Sequence, residues 1–172
     1  MSTSAGPYKS PGTEITIELD PQHDGNIIRK AFLAESVLNL FTIPLITNTR
    51  TILSYLLANP SQINSTSIFF ARLFGGLIVG GLTSALWAGL PNTKTGIESR
   101  KVVYITLGMG EVFLLPILAL EAAKAASGEE AALSVLGCGA TIACLLPPLL
   151  WRAYVLFVKP ELMGRYREVK RD

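Results

Sequence analysis

Four stretches of this chain run for membrane-spanning lengths with almost no charge. Residues 31–47 contain only Glu35, 67–90 only Arg72, 102–123 only Glu111 and Glu121, and 131–158 only Arg152. An α-helix needs about 17 to 25 mostly apolar residues to cross the hydrocarbon of a bilayer. Each run meets that length. The expected fold class is therefore an all-α membrane protein, a four-transmembrane-helix bundle. Composition agrees: 49% of residues are hydrophobic and 16% charged, against roughly a quarter charged in soluble domains.

The first run is the shortest and carries Pro44, so it is expected to kink, to tilt, or to be completed by the TILSYLL that follows. A signal peptide is the competing reading. A long polar segment precedes the run and no small-residue cleavage site follows it, which argues against that. Three regions result: a flexible polar tail over 1–26, a transmembrane domain over 27–160, and a basic cytosolic tail over 161–172 suited to the anionic head groups of membrane lipid. Within the first tail, Ile15–Leu19 alternates and could pair as an edge strand. His23, the only histidine, lies there beside Asp24 and is an improbable catalyst.

Lysine and arginine counts set the expected orientation. The N-terminal tail, the 91–101 loop and the C-terminal tail hold Lys9, Arg29, Lys30, Lys94, Arg100, Lys101, Lys159, Arg165, Arg167, Lys170 and Arg171. The opposite side holds Arg50 and Lys124. Both termini are thus expected in the cytosol, with the Asn64-Ser65-Thr66 sequon in the lumenal connection and the endoplasmic reticulum as the membrane. In that connection Ile52, Leu53, Leu56 and Leu57 share one face of a short interfacial helix.

Ionisable groups inside a span are functional hypotheses by default. Counted from the start of its run, Glu35 lies about 6 Å deep and Glu111 about 13 Å deep, at 1.5 Å per residue. Asn39 is one turn beyond Glu35. Tyr104, Gly108 and Glu111 form a stripe on the third span. The first and third spans run the same way, so Glu35, Asn39, Tyr104 and Glu111 are placed to converge on one cytosol-facing cavity. A carboxyl in apolar surroundings favours its neutral form, which makes Glu111 the expected acid and the shallower Glu35 the expected base. Asn39 and Tyr104 would orient water or a substrate oxygen, while Glu98 and Arg100 flank the mouth and could hold a substrate's polar end. The bland alternative treats both carboxyls and Asn39 as interhelical packing contacts.

Other polar residues receive structural expectations. Arg72 and Glu121 lie towards the lumenal side and are expected to pair. Arg152 lies near the end of the fourth span, where snorkelling would satisfy it. Trp87, Trp151 and Tyr154 fit an interfacial aromatic belt. Gly76, Gly80, Thr83 and Trp87 form a stripe, with Gly75 and Gly81 beside it, suited to close helix approach, to a channel for a flat or extended lipophile, or to a second copy of the chain. Cys138 and Cys144 lie on different faces of one helix and read as packing residues. The sequence contains no phosphate loop, zinc ligand set, nucleophile elbow or nucleic-acid signature, so no cofactor, metal or nucleic-acid partner is expected.

With AESVLNLFTIPL, ARLFGGL, ESRKVVYITLGMGE and PPLLWRAYVLFVKPE in view, the chain resembles small fungal four-span membrane proteins of secondary-metabolite pathways. The nearest likeness is to the epoxide hydrolase or epoxidase-like proteins of aurovertin, citreoviridin and xenolozoyenone type. The likeness covers most of the chain after residue 28, in span pattern rather than in a diagnostic motif. It implies a hydrolase that opens an epoxide of a lipophilic polyketide or terpenoid, working beside other biosynthetic membrane enzymes. Two further classes remain open: a non-catalytic tetraspan scaffold, and a small lipophile transporter.

Overall fold

A computed structural model describes the backbone of residues 14–171 and the side chains of 18–167. The chain is mostly helical, and four of its helical stretches are long and apolar enough to cross a membrane: Asn26–Thr47, Ser65–Ala88, Lys94–Ser127 and Val135–Val158. Their surfaces are inverted relative to a soluble bundle. Phe41, Phe69, Phe70, Phe113, Leu120, Leu136 and Phe157 all point outward, while Ser36, Thr49, Thr83, Arg100, Glu111 and Arg152 are buried. That arrangement suits hydrocarbon outside and polar pairing inside.

The first stretch is broken. Helix α1 (Asn26–Leu40) ends where Phe41 and Thr42 turn back to Leu38 and Asn39, and α2 (Ile43–Thr47) continues it from Pro44 near its first turn. Proline disfavours helical backbone in the residue before it, which localises the kink. The short α3 (Thr49–Leu56) is a separate helix; its Leu53 is buried, with Ile52, Leu56 and Leu57 partly so. The amphipathic stripe of this helix therefore faces the bundle. Backbone bonds from Ser134 N–H to Leu56 O (2.8 Å) and from Ala58 N–H to Ala132 O (3.2 Å) clip it to the loop before the last span.

Asn64 caps α4 (Ser65–Gly76), its side-chain oxygen accepting from the Thr66 and Ser67 N–H groups. A π-helical stretch, Leu77–Leu82, joins α4 to α5 (Thr83–Ala88). The third span is one continuous helix, α6 (Lys94–Ser127), which Thr93 caps and Gly128 terminates with a positive φ. The fourth is α7 (Val135–Ala153), containing Pro147 and Pro148 and followed by a π-helical turn over Tyr154–Val158.

The polar tails are not separate. Strand β1 (Glu14–Leu19) pairs antiparallel with β2 (Tyr166–Arg171), Leu19 opposite Tyr166. The alternating ITIEL segment thus finds its partner at the other end of the sequence, and structure extends into the region expected to be a flexible tail. Residues 1–13 of that tail, with Lys9, lie outside the described residues. His23 bonds Asp20 at 3.0 Å, and its carbonyl accepts from Arg165 N–H, so it serves the tail junction. Strands β1 and β2, the 89–93 loop and the buried cluster of Ile28, Phe32, Leu86, Val103, Tyr104, Val155 and Met163 all share one end of the bundle.

Three structural expectations are corrected. Arg72 and Glu121 do not pair: α4 packs on α2 and α3 rather than on α6. Arg72 donates to Thr49 Oγ1 at 3.2 Å, whereas Glu121 binds Lys124 and the Ala132 N–H. The close helix approach falls at Gly75, where an added Cβ would lie 2.8 Å from Ile46; Gly76 and Gly80 face open space. Trp151 does not point outward as Trp87 does, because its indole turns inward to Tyr104.

Candidate functional site

Three spans meet at one guanidinium. Arg152, from the last turn of α7, donates through Nη1 to Glu111 of α6 and through Nη2 to Glu35 of α1, the latter at 2.5 Å. All three side chains are largely withdrawn from the surface, at 5%, 9% and 14% exposed for Arg152, Glu111 and Glu35. Snorkelling is therefore the wrong description of Arg152. Its stem passes Gly108, where an added Cβ would make an ordinary contact with Cδ at 3.9 Å. Its charged end lies 5.6 Å from the centre of the Tyr104 ring, within cation–π range.

An aromatic wall supports the triad. Tyr104 packs against Phe32 with ring centres 5.0 Å apart and planes tilted by 54°, and its hydroxyl accepts from Trp151 Nε1 at 2.8 Å. Phe32 is fixed in turn: any Cβ at Gly89 would collide with its ring, and Ser36 Oγ bonds back to its carbonyl at 2.7 Å. The heptad spacing of Tyr104 and Glu111 puts both on the α6 face that looks at α7. Arg152 then enters the gap between them.

The two carboxyls reach one guanidinium from different distances along their helices, nine residues past Asn26 in α1 and 17 past Lys94 in α6. Helix α1 begins at Asn26 rather than at residue 31, because Ile27 and Ile28 join it. That adds more than a turn below Glu35. A charged triad in such surroundings is costly unless its members satisfy one another. Here the satisfaction is incomplete, since Glu111 Oε2 and Arg152 Nε are buried with no hydrogen-bond partner among the described residues.

Other expected site residues are elsewhere. Asn39 Nδ2 donates to Thr83 Oγ1 at 3.2 Å, an α1–α5 contact one turn from the triad. Arg100 is fully buried and bonds Gly89 O, Met163 O, Pro91 O and Asn92 Oδ1. It joins the 89–92 loop to the C-terminal segment and lines no open mouth. Glu98 is exposed, accepts from the Tyr166 hydroxyl at 3.0 Å, and borders a cavity at the termini end. Two open cavities, of about 390 and 250 Å³, lie away from the triad. The expected cavity joining Glu35 to Glu111 is filled by Arg152.

Sequence reading missed Arg152, Trp151 and Phe32 as site residues. A signal for Arg152 was present: two carboxyls in parallel spans require a counter-charge, and Arg152 is the lone cation within the fourth run. No protein-family model, curated protein or solved structure matches this chain.

Proposed function

We propose that this protein is an integral membrane enzyme that opens an epoxide of a lipophilic polyketide or terpenoid by carboxyl acid–base catalysis, needing no cofactor. The observation that carries the reading is the triad with its orphan oxygen. Two carboxyls from different spans share one guanidinium, and Glu111 keeps Oε2 buried with no donor among the described residues. With both carboxyls ionised the triad carries one net negative charge, unfavourable in hydrocarbon. One proton between the two makes it neutral and supplies one acid and one base.

In the reaction Glu111 gives its proton to the epoxide oxygen as the C–O bond breaks. Glu35 takes a proton from water, or from an internal hydroxyl, as that oxygen attacks the carbon. The product is a diol or a cyclic ether, and the proton count of the triad is unchanged. Arg152 is a positioning residue, holding both carboxyls and offsetting the charge that moves between them. Tyr104 limits water on one side. The endoplasmic reticulum, with both termini cytosolic, is the setting this reading takes, and other biosynthetic membrane enzymes are its partners.

General acid–base assistance is worth roughly 10²–10⁴-fold. Purified protein in vesicles should turn over a polyene epoxide, with Glu35→Gln and Glu111→Gln each lowering turnover by about that factor. Unchanged turnover in both variants would overturn the mechanism. A second reading is a non-catalytic tetraspan scaffold, favoured by the way Arg152 fills the space between its partners. It expects both variants to be harmless and a membrane enzyme to copurify.

A further inference from the structure

A second built feature lies at the termini end, independent of the triad. A cavity of about 390 Å³ opens between the first turns of α6 and the segment after the last span. Its wall is mostly apolar, from Ile97, Leu156, Pro160 and Met163, with charged Glu98, Lys101 and Arg165 at its edge. Among the described residues neither Lys101 nor Arg165 makes an ion pair, although Glu98 is bound by the Tyr166 hydroxyl.

The cations are carried on fixed backbone. Lys101 stands on α6 one turn beyond Ile97. Arg165 follows Gly164, whose φ of 88° turns the chain, and is pinned by its N–H to His23 O (2.9 Å) and its carbonyl to Asp20 N–H (3.0 Å). The cavity also sits at the margin of the outward apolar surface. Val102, next to Lys101, is 64% exposed, and Phe157 and Val158, next to Leu156, are 84% and 61% exposed. The residues that line the cavity are therefore close in sequence to strongly exposed apolar ones.

We propose that this cavity binds the headgroup of an anionic phospholipid. Lys101 and Arg165 receive the phosphate, and the acyl chains descend along Val102, Leu156 and Phe157. Glu98 opposes a bare dianionic phosphate, setting a limit on how tightly the site holds it. Juxtamembrane cations each contribute about fivefold to the binding of anionic lipid. Soluble anions gain nothing from the apolar margin, so the lipid rather than free phosphate is the ligand.

The test is native mass spectrometry of the full-length protein in detergent, titrated with phosphatidic acid, with phosphatidylcholine of the same chains, and with inorganic phosphate. Phosphatidic acid should bind more tightly than phosphatidylcholine. Lys101→Gln with Arg165→Gln should weaken it by about thirtyfold, and Glu98→Gln should strengthen it. The last variant moves affinity upward, which a folding defect would not do. Equal binding of the two lipids, or unchanged binding in the double variant, would overturn the proposal. So would inorganic phosphate that competes at the same concentration as the lipid.

Discussion

Replacing Arg152 by methionine removes the one cation shared by two withdrawn carboxyls while keeping an unbranched apolar stem over Gly108. Breaking a buried ion pair by removing one partner costs about 3–5 kcal/mol, mainly because the remaining charge is stranded. Two carboxyls are stranded here, one from α1 and one from α6. Each can escape part of the cost by taking up a proton, so we expect about 3–5 kcal/mol for Arg152→Met rather than twice that. Adding Glu35→Gln and Glu111→Gln removes the stranded charges, and the triple variant should recover most of the loss. The assay is reversible unfolding of the purified protein in mixed micelles, comparing wild type, single and triple variants. A loss in Arg152→Met below about 0.5 kcal/mol, the range of ordinary surface substitutions, would refute the reasoning. So would a triple variant no more stable than the single one.

Three further outcomes follow from other contacts. At Gly137 an added Cβ would stand 2.5 Å from Leu56 O, so Gly137→Ala should destabilise by about 1–3 kcal/mol in the same unfolding assay, with no loss of stability counting against the α3–α7 clip. Trp151→Phe removes the donor to the Tyr104 hydroxyl and should cost about 1 kcal/mol; the fluorescence of Trp87 then reports unfolding alone. The His23 ring bonded to Asp20 holds that carboxyl below its ordinary value of 3.8. A depressed carboxyl favours the folded state above its unfolded value, and that contribution fades as pH falls through the folded one. Carboxyl NMR should show the Asp20 midpoint below 3.8 in wild type and closer to it in His23→Ala; identical midpoints would remove His23 as the cause.

Span number and helix type were legible because hydrocarbon imposes length and apolarity on each run independently of its neighbours. The same independence hid the contacts. Glu35 and Glu111 stood out as single carboxyls in apolar runs, and their parallel helices suggested company. What joins them is a side chain from a third helix, and the lateral order of helices leaves no periodic mark. Arg152 looked peripheral because its distance from the helix end was read along the sequence; its long side chain reaches inward to the two carboxyls. Asn39 lay on the expected face of α1, yet that face turns towards α5, where Thr83 offers its hydroxyl. Arg100 illustrates the opposite case. It read as a cation flanking the cavity mouth, but carbonyls at Gly89 and Pro91 and, far along the chain, at Met163 close around it. The β1–β2 pair was visible in half, as an alternating segment whose partner lay at the far end of the chain.

The most direct test of the acid–base account is the pH dependence of epoxide turnover in vesicles. A base that must be ionised and an acid that must be protonated give a bell, rising on its acidic limb and falling on its alkaline limb. Glu35→Gln should flatten the rising limb and Glu111→Gln the falling one, each on a rate reduced by about 10²–10⁴-fold. A wild-type bell that survives intact in both variants would contradict the assignment of Glu111 as acid and Glu35 as base.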